Sequence, residues 1–324
     1  MKPIRNITVL GLGAMGHGIT QSFAAAGFRV KAYDEQKAAR AGLLKLIKRN
    51  LKDFVAAGLT RQSSVAPLLA RIQVCDTEAE AVRGAHFVTE AVREDLQVKQ
   101  DLFARLEGLV SDDTILASNS STFMASQSAK KMRLPDRAIV THWFNPPHIV
   151  PVVEVVPGPR TSEHVTQAAV ALMQRIGKEA VRIDKELPGF IVNRVQVAVM
   201  REVWDLLDKG VASAETIDTA IRGSMGFRLA ALGPLQVHDF GGLDIQLRVF
   251  GNLAPEICST TRAPATIRRL VEAGHFGAKT GKGIYEYTPA SLAARRTRRD
   301  QRFLALLKMF HSRKASASVK RTSK

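Results

Sequence analysis

Cysteine is scarce in this sequence and long apolar runs are missing, and each deficit excludes a class of protein. Only Cys75 and Cys258 occur among 324 residues, too few for a disulfide framework and without the spacing of metal ligands, so we predict no metal site. Apolar stretches such as residues 189–200 are interrupted by polar side chains and fall short of the roughly 20 residues that span a bilayer. Strand-like sequence begins close to Met1, which leaves no room for a signal peptide. We therefore expect a cytoplasmic protein that does not associate with membranes.

Acidic residues are outnumbered by basic ones, and the formal net charge is +17. Much of the excess lies in residues 290–324, where eleven Lys and Arg residues accompany one Asp. The last part, residues 312–324, has few apolar side chains, which predicts a disordered and solvated basic tail. Contact of this tail with nucleic acid is the weaker alternative, so nucleic acid is not expected as a partner. Before the tail, apolar residues at helical spacing predict an amphipathic helix docked on the body of the protein, namely Phe303, Leu304, Leu307 and Phe310.

The chain is longer than one hydrophobic core usually supports, so two domains are expected. Hydrophobic residues make up 45% and charged residues 24% of the sequence, which is the balance of a globular protein. Strand and helix patterns alternate through residue 187, whereas only helical periodicity follows. The predicted fold class is α/β, with a Rossmann-type doubly wound parallel sheet in residues 1–187 and a C-terminal all-helical domain in residues 188–311. The helical segments expected in the second domain are 190–207, 214–222, 242–253 and 265–273.

A glycine-rich turn links the first predicted strand to a predicted helix. The strand, Asn-Ile-Thr-Val-Leu at residues 6–10, is followed by Gly11-Leu-Gly13-Ala-Met15-Gly16. Gly11 permits a tight turn, Gly13 lets the backbone approach a pyrophosphate, and Gly16 lets the helix pack closely on the strand. The helix N-terminus then offers free amide groups to the phosphates. This turn, including Met15, is predicted to bind a dinucleotide.

An acidic residue, Asp34, ends the second predicted strand, about 20 residues beyond the turn. Its carboxylate is expected to accept hydrogen bonds from the adenosine ribose hydroxyls, and its charge would repel a 2′-phosphate. Arg29 and Lys31 on the same strand would weaken that preference only if they faced the cofactor, and as alternating strand residues we expect them to face solvent. The predicted cofactor is therefore NAD and not NADP.

Polar residues follow a later strand, predicted at residues 113–118. Ligands of an open parallel sheet bind beyond the carboxyl ends of its strands, so the cluster at residues 118–122 lies where a substrate would bind. Ser121 belongs to this cluster. A second interpretation of Ser121 is that its hydroxyl caps the N-terminus of a helix, and the two roles are compatible.

A histidine and a glutamate are predicted on neighbouring apolar strands. His142 ends one strand before the proline-containing loop of Asn145, and Glu154 lies inside the valine-rich strand that follows. A lone carboxylate among valines needs a partner because its unpaired burial would be costly. His142 is the nearest candidate, and an imidazole backed by a carboxylate is a suitable base for removing a proton from an alcohol.

Six segments, in order, resemble the L-3-hydroxyacyl-CoA dehydrogenase family, and they span nearly the whole chain: 11–21, 90–99, 117–121, 142–146, 188–194 and 277–283. The resemblance implies NAD-dependent oxidation in fatty-acid β-oxidation, with His142 as the general base and Glu154 as the residue that orients it. It further implies that Ser121 and Asn193 bind the substrate. The positions that the resemblance assigns to NAD contacts are Glu94, Lys99, Asn145 and Lys279.

The resemblance also implies where the site lies and how the chain assembles. Asn193, on the first helix of the second domain, would reach back to His142, which puts the active site in a cleft between the domains. The family also implies a homodimer.

Two segments are more similar to the branch of the family that contains lambda-crystallin (L-gulonate dehydrogenase) and carnitine dehydrogenase. They are residues 145–154 and residues 226–234, and the second contains Arg228, whose guanidinium would hold a substrate carboxylate through two hydrogen bonds. The small-molecule substrate is therefore predicted to be a short-chain 3-hydroxyacyl-CoA, with a free 3-hydroxy acid as the alternative. A catalytically silent NAD-binding structural protein is a third hypothesis, which the intact His142 and Glu154 disfavour.

Overall fold

The computed structural model describes the backbone of residues 3–321 and the side chains of residues 3–311. The chain divides into two compact units. Unit 1 comprises Met1–Ile191 and Thr297–Lys324, and unit 2 comprises Val192–Arg296. Among the helices of the described residues, none is long and apolar enough to cross a membrane.

Unit 1 contains an eight-stranded sheet with the order β3-β2-β1-β4-β5-β6-β7-β8. Neighbouring strands are parallel except β6 and β7, which are antiparallel. The sheet is thus parallel-dominated, as predicted, with one reversal that the sequence patterns did not indicate. The strands are β1 (Asn6–Leu10), β2 (Arg29–Tyr33), β3 (Ile72–Val74), β4 (Phe87–Glu90), β5 (Ile115–Ser118), β6 (Ala138–Trp143), β7 (Val152–Pro157) and β8 (Glu179–Arg182).

Both faces of the central strands are buried, because successive side chains of a strand point to opposite faces. Along β4, Phe87 packs into one core cluster and Val88 into another, and along β5 Ile115 and Leu116 divide in the same way. Burial on both faces is typical of a parallel sheet that is covered on two sides, and it explains why each of these strands begins with two consecutive apolar residues. The helices of this part are α1 (Gly16–Ala25), α2 (Lys37–Ala56), α3 (Val65–Leu69), α4 (Glu78–Val82), α5 (Leu96–Glu107), α6 (Ala125–Ser128) and α7 (Glu163–Arg175).

Unit 2 is helical, and the four helices predicted from periodicity are present within two residues of their expected bounds. Its helices are α8 (Val192–Asp208), α9 (Ala214–Ile221), α10 (Phe227–Leu229), α11 (Pro234–Gly241), α12 (Leu243–Leu253) and α13 (Ala265–Glu272). A π-helical turn, Arg222–Gly226, joins α9 to α10. The sequence patterns did not identify α11.

The last helix, α14 (Pro289–Arg321), changes the predicted domain organisation. We expected residues up to 311 to belong to the helical domain, but the segment from Thr297 onward groups with unit 1. The reason is apolar contact: Leu304 and Leu307 are buried against Ile149 and the end of α2 at Phe54. The predicted docked amphipathic helix is therefore present. The predicted disorder of the tail is wrong for the backbone of residues 312–321, which continues α14. Residues 322–324 lie outside the described residues.

Candidate active site

The glycine turn follows β1 at the carboxyl edge of the sheet, where the sequence predicted it. Gly11 has φ +85°, and a Cβ atom there would lie 2.6 Å from the Ala91 carbonyl oxygen. A Cβ at Gly16 would lie 1.7 Å from the Gly11 carbonyl oxygen, so only glycine allows α1 to begin this close to the turn. Gly13 is exposed, and the space where its Cβ would stand is open. Open space beside the first amides of α1 fits a pyrophosphate, because those amides have no carbonyl partner within the helix.

Asp34 follows β2, next to the glycine turn. Its Oδ2 accepts a hydrogen bond from the Leu12 amide at 2.7 Å, and its Oδ1 accepts one from the Gln36 amide at 2.8 Å. A carboxylate has about four acceptor positions, so two remain for ribose hydroxyls. The residues at this edge therefore fit a dinucleotide.

His142 and Glu154 form the predicted pair. They lie opposite each other in the antiparallel register of β6 and β7, which puts both side chains on the same face of the sheet. The distance from His142 Nδ1 to Glu154 Oε2 is 2.7 Å. His142 is 4% exposed and Glu154 is fully buried. With Nδ1 donating to the carboxylate, Nε2 is the nitrogen available for proton exchange.

A residue with an unusual backbone conformation completes the surroundings of this pair. Phe190 has φ +53°, which is rare for a side chain other than glycine. The centroid of its ring lies 5.5 Å from the centroid of the His142 ring. The Phe144 ring also packs on His142, with a centroid distance of 4.5 Å. The next amide, that of Ile191, donates to Glu154 Oε1 at 3.1 Å. The positive φ thus coincides with two contacts that hold the imidazole and the carboxylate in place.

The polar cluster after β5 is organised by Glu94. Its Oε1 accepts hydrogen bonds from the Ser120 hydroxyl at 2.6 Å and from the Ser121 amide at 3.0 Å. The amide and hydroxyl of Thr122 also donate to this oxygen, at 3.2 and 3.0 Å. Burial alone would raise the pKa of Glu94, but the hydrogen bond from Ser120 and the charge of Lys99 outweigh it and hold the pKa below its ordinary value. The N-cap interpretation of Ser121 is wrong, since the next helix, α6, has Met124 at its N-cap.

The remaining predicted site residues are distributed over both units. Asn145 is exposed in the loop after β6, and Lys99 is buried on α5. Asn193, Arg228 and Lys279 belong to unit 2. The predicted approach of Asn193 to His142, the substrate contact of Arg228 and the NAD contact of Lys279 therefore stay predictions.

Sequence reasoning missed two features of unit 1. Phe190 and Ile191 had no signal beyond the Pro188-Gly189 turn that precedes them. Glu90 had one: like Glu154, it is a lone carboxylate in an apolar strand, and it is fully buried.

The glycine turn, the acidic residue after β2 and a buried histidine paired with a carboxylate at one edge of a parallel-dominated sheet are typical of a dinucleotide-dependent oxidoreductase of the Rossmann type. The chain belongs to the 3-hydroxyacyl-CoA dehydrogenase family. The sequence model of the family's NAD binding domain matches residues 6–187, and that of its C-terminal domain matches residues 189–287. The predicted resemblance, fold class and NAD cofactor are thereby confirmed.

Relatives in this family carry different names. The chain is 33% identical to a 5-formyl-3-hydroxy-2-methylpyridine 4-carboxylate 5-dehydrogenase of Mesorhizobium japonicum, over 96% of this chain and 99% of that protein. It is 32% identical to the lambda-crystallin of Oryctolagus cuniculus, over 94% and 96% of the two chains. It is 36% identical to a probable 3-hydroxybutyryl-CoA dehydrogenase of Bacillus subtilis, over 88% and 98%.

A solved structure supports the same relationship. The crystal structure of a 5-formyl-3-hydroxy-2-methylpyridine 4-carboxylic acid 5-dehydrogenase superimposes with a TM-score of 0.90 at 32% identity, covering 95% of this chain and 99% of that one. The chain is accordingly an NAD-dependent oxidoreductase of hydroxy acids.

Proposed function

We propose that this protein interconverts a short-chain L-3-hydroxyacyl-CoA and the corresponding 3-ketoacyl-CoA, with His142 as general base and acid. The observation that carries the proposal is the buried pair in which Glu154 accepts the Nδ1 hydrogen bond of His142 at 2.7 Å. The carboxylate fixes the imidazole tautomer and stabilises the protonated ring, which are the two requirements of a base that acts on an alcohol.

In the oxidative direction, His142 Nε2 takes the proton of the 3-hydroxyl group as its oxygen forms the carbonyl. NAD, when bound, accepts the hydride that leaves C3. Glu154 remains ionised and balances the imidazolium charge. In the reductive direction His142 returns the proton to the oxygen, so one histidine serves both directions.

The other predicted residues receive roles in substrate and cofactor binding. Ser121 and Asn193 would donate hydrogen bonds to the substrate oxygens, where the developing charge makes such bonds stronger. Asn145 would orient the nicotinamide. Glu94 and Lys279 would contribute to the NAD site.

A second candidate substrate is a free hydroxy acid, for which Arg228 would bind the carboxylate. One observation favours it: the match with the Mesorhizobium japonicum relative, whose name specifies a carboxylate, covers 96% of the chain. Because α14 has 33 residues, a match of this extent must include part of that helix. The family's C-terminal model, by contrast, ends at residue 287, before α14 begins.

The two candidates are distinguished by measuring NADH formation with short-chain L-3-hydroxyacyl-CoAs and with free 3-hydroxy acids. The His142→Gln variant should abolish turnover, whereas His164→Gln, an exposed histidine on α7, should retain it. Arg228→Met should raise KM for a free acid and leave an acyl-CoA unaffected. Turnover that survives His142→Gln contradicts the mechanism, and a wild-type protein that oxidises no member of the panel favours the structural hypothesis.

We also propose that the protein is a homodimer formed through unit 2. Five large apolar side chains in this unit are between 72% and 84% exposed, namely Phe227, Leu235, Phe240, Leu247 and Phe250. Apolar surface of this extent is typical of an interface, and a second copy of the chain is the simplest occupant. Sedimentation of the wild type should give twice the mass of one chain. The combination of Phe240→Ser with Leu247→Ser should lower this mass toward that of a monomer, whereas Leu109→Ser in unit 1 should leave it unchanged. A wild-type monomer contradicts the proposal.

A further inference from the structure

A lysine is enclosed between two carboxylates beneath the polar cluster. Lys99 is 1% exposed. Its Nζ donates to the two carboxylate oxygens of Glu90 at 2.8 and 3.0 Å, and it lies 3.2 Å from Glu94 Oε2. A buried ammonium is costly unless it is paired, so the two carboxylates account for its presence inside the unit.

The first carboxylate, Glu90, joins the ends of β4 and β5. Besides Lys99, it accepts a hydrogen bond from the Ser118 hydroxyl and one from the Val92 amide at 3.0 Å. The Ser118 oxygen in turn accepts the Ser120 amide at 3.0 Å. Glu90 is therefore connected to Ser120 through one side chain, that of Ser118.

The second carboxylate, Glu94, forms direct hydrogen bonds with the same cluster. One of its oxygens faces Lys99, and the other accepts the donors of Ser120, Ser121 and Thr122 described above. Lys99 is thus the common partner of two carboxylates that both determine the conformation of residues 120–122. Loss of the ammonium would leave these carboxylates facing each other without a cation between them.

We propose that Glu90 and Lys99 are positioning residues: their internal ion pair orients Glu94, and through Glu94 it sets the position of Ser121 for the substrate. The inference rests on the proposed role of Ser121 in the proposed function. It differs from the direct NAD contact that the family resemblance implies for Lys99, because an ammonium enclosed by two carboxylates acts through them.

The two roles of Lys99 predict different kinetics. A positioning role predicts that Lys99→Met and Glu90→Gln each lower kcat by about 30-fold. The affinity for NADH, measured by fluorescence titration, should change by less than about threefold and by a similar factor in both variants, because both retain Glu94, the residue of this group that would contribute to the NAD site. The matched control is Lys131→Met, which removes an exposed lysine paired with Asp101 and should change neither quantity. Weakened NADH binding with kcat preserved in Lys99→Met would instead establish a direct cofactor contact and overturn the proposal.

A pH profile adds a readout that a merely structural role would not move. The charge of Lys99 is one of the causes that lower the pKa of Glu94. Its removal should therefore raise that pKa, and the titration of the Glu94 carboxyl group, followed by carbon-13 NMR, should move to higher pH in Lys99→Met. A Glu94 titration that coincides with that of the wild type contradicts the coupling between Lys99 and Glu94.

Hydrogen exchange tests the geometry independently of turnover. The amides of Ser121 and Thr122 donate to Glu94, so their exchange should accelerate about tenfold or more in both single variants and remain unchanged in Lys131→Met. Because this measurement needs no substrate, unchanged exchange rejects the positioning role even if the proposed function fails.

The double variant that combines Glu90→Gln with Lys99→Met covers the case in which a single variant does not fold. It removes both charges of the ion pair, so no uncompensated charge remains at Glu90. It should fold, bind NADH and retain the low kcat. A double variant with wild-type kcat overturns the proposal.

Discussion

Replacing Glu154 with glutamine removes one negative charge beside His142, the proposed base, and leaves the size of the side chain nearly unchanged. In the wild type, Glu154 Oε2 accepts from His142 Nδ1 at 2.7 Å, and Oε1 accepts from the Ile191 amide at 3.1 Å. A glutamine has one acceptor oxygen for these two donors. Its amide nitrogen can also donate to Nδ1, which would move the imidazole proton to Nε2.

The expected loss of rate follows from the charge. A buried hydrogen bond to an ion contributes roughly 1.5–3 kcal/mol, against about 1 kcal/mol for a neutral one. The imidazolium that forms in the transition state also loses its counterion, so we take a total loss of about 2–3 kcal/mol, which lowers kcat about 30- to 150-fold. If the tautomer changes in every molecule, the loss approaches about 10⁴-fold. KM should change little, because Glu154 is fully buried behind His142.

The assay is steady-state NADH formation with a substrate deuterated at C3, so that the isotope effect reports whether hydride transfer limits the rate. Glu163→Gln is the matched control, since Glu163 is an exposed carboxylate on α7 paired with Arg182 at 2.6 Å and should affect kcat by less than about twofold. Thermal unfolding of Glu154→Gln should show a decrease in Tm of about 2–4 °C from the lost hydrogen bond. A kcat within twofold of the wild type would refute the proposed role of the pair.

The close approach at Gly16, the buried Cys75 thiol and the Glu94 carboxylate each predict a measurable effect. Gly16→Ala should weaken NADH binding by at least about tenfold, because the new Cβ would lie 1.7 Å from the Gly11 carbonyl oxygen; Gly42→Ala on α2, where the space is open, should instead leave binding unchanged and stabilise the fold by up to about 1 kcal/mol. Burial, followed by the charge of Glu80, raises the pKa of the Cys75 thiol to about 11, so alkylation followed by mass spectrometry should modify Cys75 only after unfolding, and modification of the native protein at neutral pH would contradict this burial. The pKa of Glu94 is lowered in the folded state, so its contribution to stability is present above its ordinary value of 4.5 and is lost as the pH falls through the folded value; Glu94→Gln should therefore flatten the dependence of Tm on pH in that acidic range, and an unchanged slope would contradict it.

The sheet and the nucleotide turn could be predicted because their signals are local. Strand β1 was expected at residues 6–10 and was found there, since an apolar run followed by the glycine turn specifies both ends of the strand. Asp34 followed from its distance along the chain to that turn. The helices of unit 2 were predicted from a periodicity that each helix carries within itself.

The pairing of His142 with Glu154 was also predictable, although the two residues are twelve positions apart. The energetic cost of a lone carboxylate among valines demanded a partner, and the nearest chemically suitable one was correct. The same argument applied to Glu90 demands a partner, and the structure shows that this partner is Lys99. That pair was not found from the sequence, because the family resemblance had already assigned Lys99 to the cofactor.

By itself, then, the sequence determined the Rossmann-type sheet, the glycine turn, the helical second unit and the pairing of His142 with Glu154, because each depends on a contiguous pattern or on one unavoidable electrostatic cost. Only the tertiary structure decided that α14 packs on Ile149 and Phe54, that Phe190 adopts a positive φ beside His142, and that one buried lysine joins two carboxylates. These features depend on contacts between segments distant in the chain, and a local pattern of residues does not specify which of several apolar faces, backbone conformations or ion-pair partners is chosen.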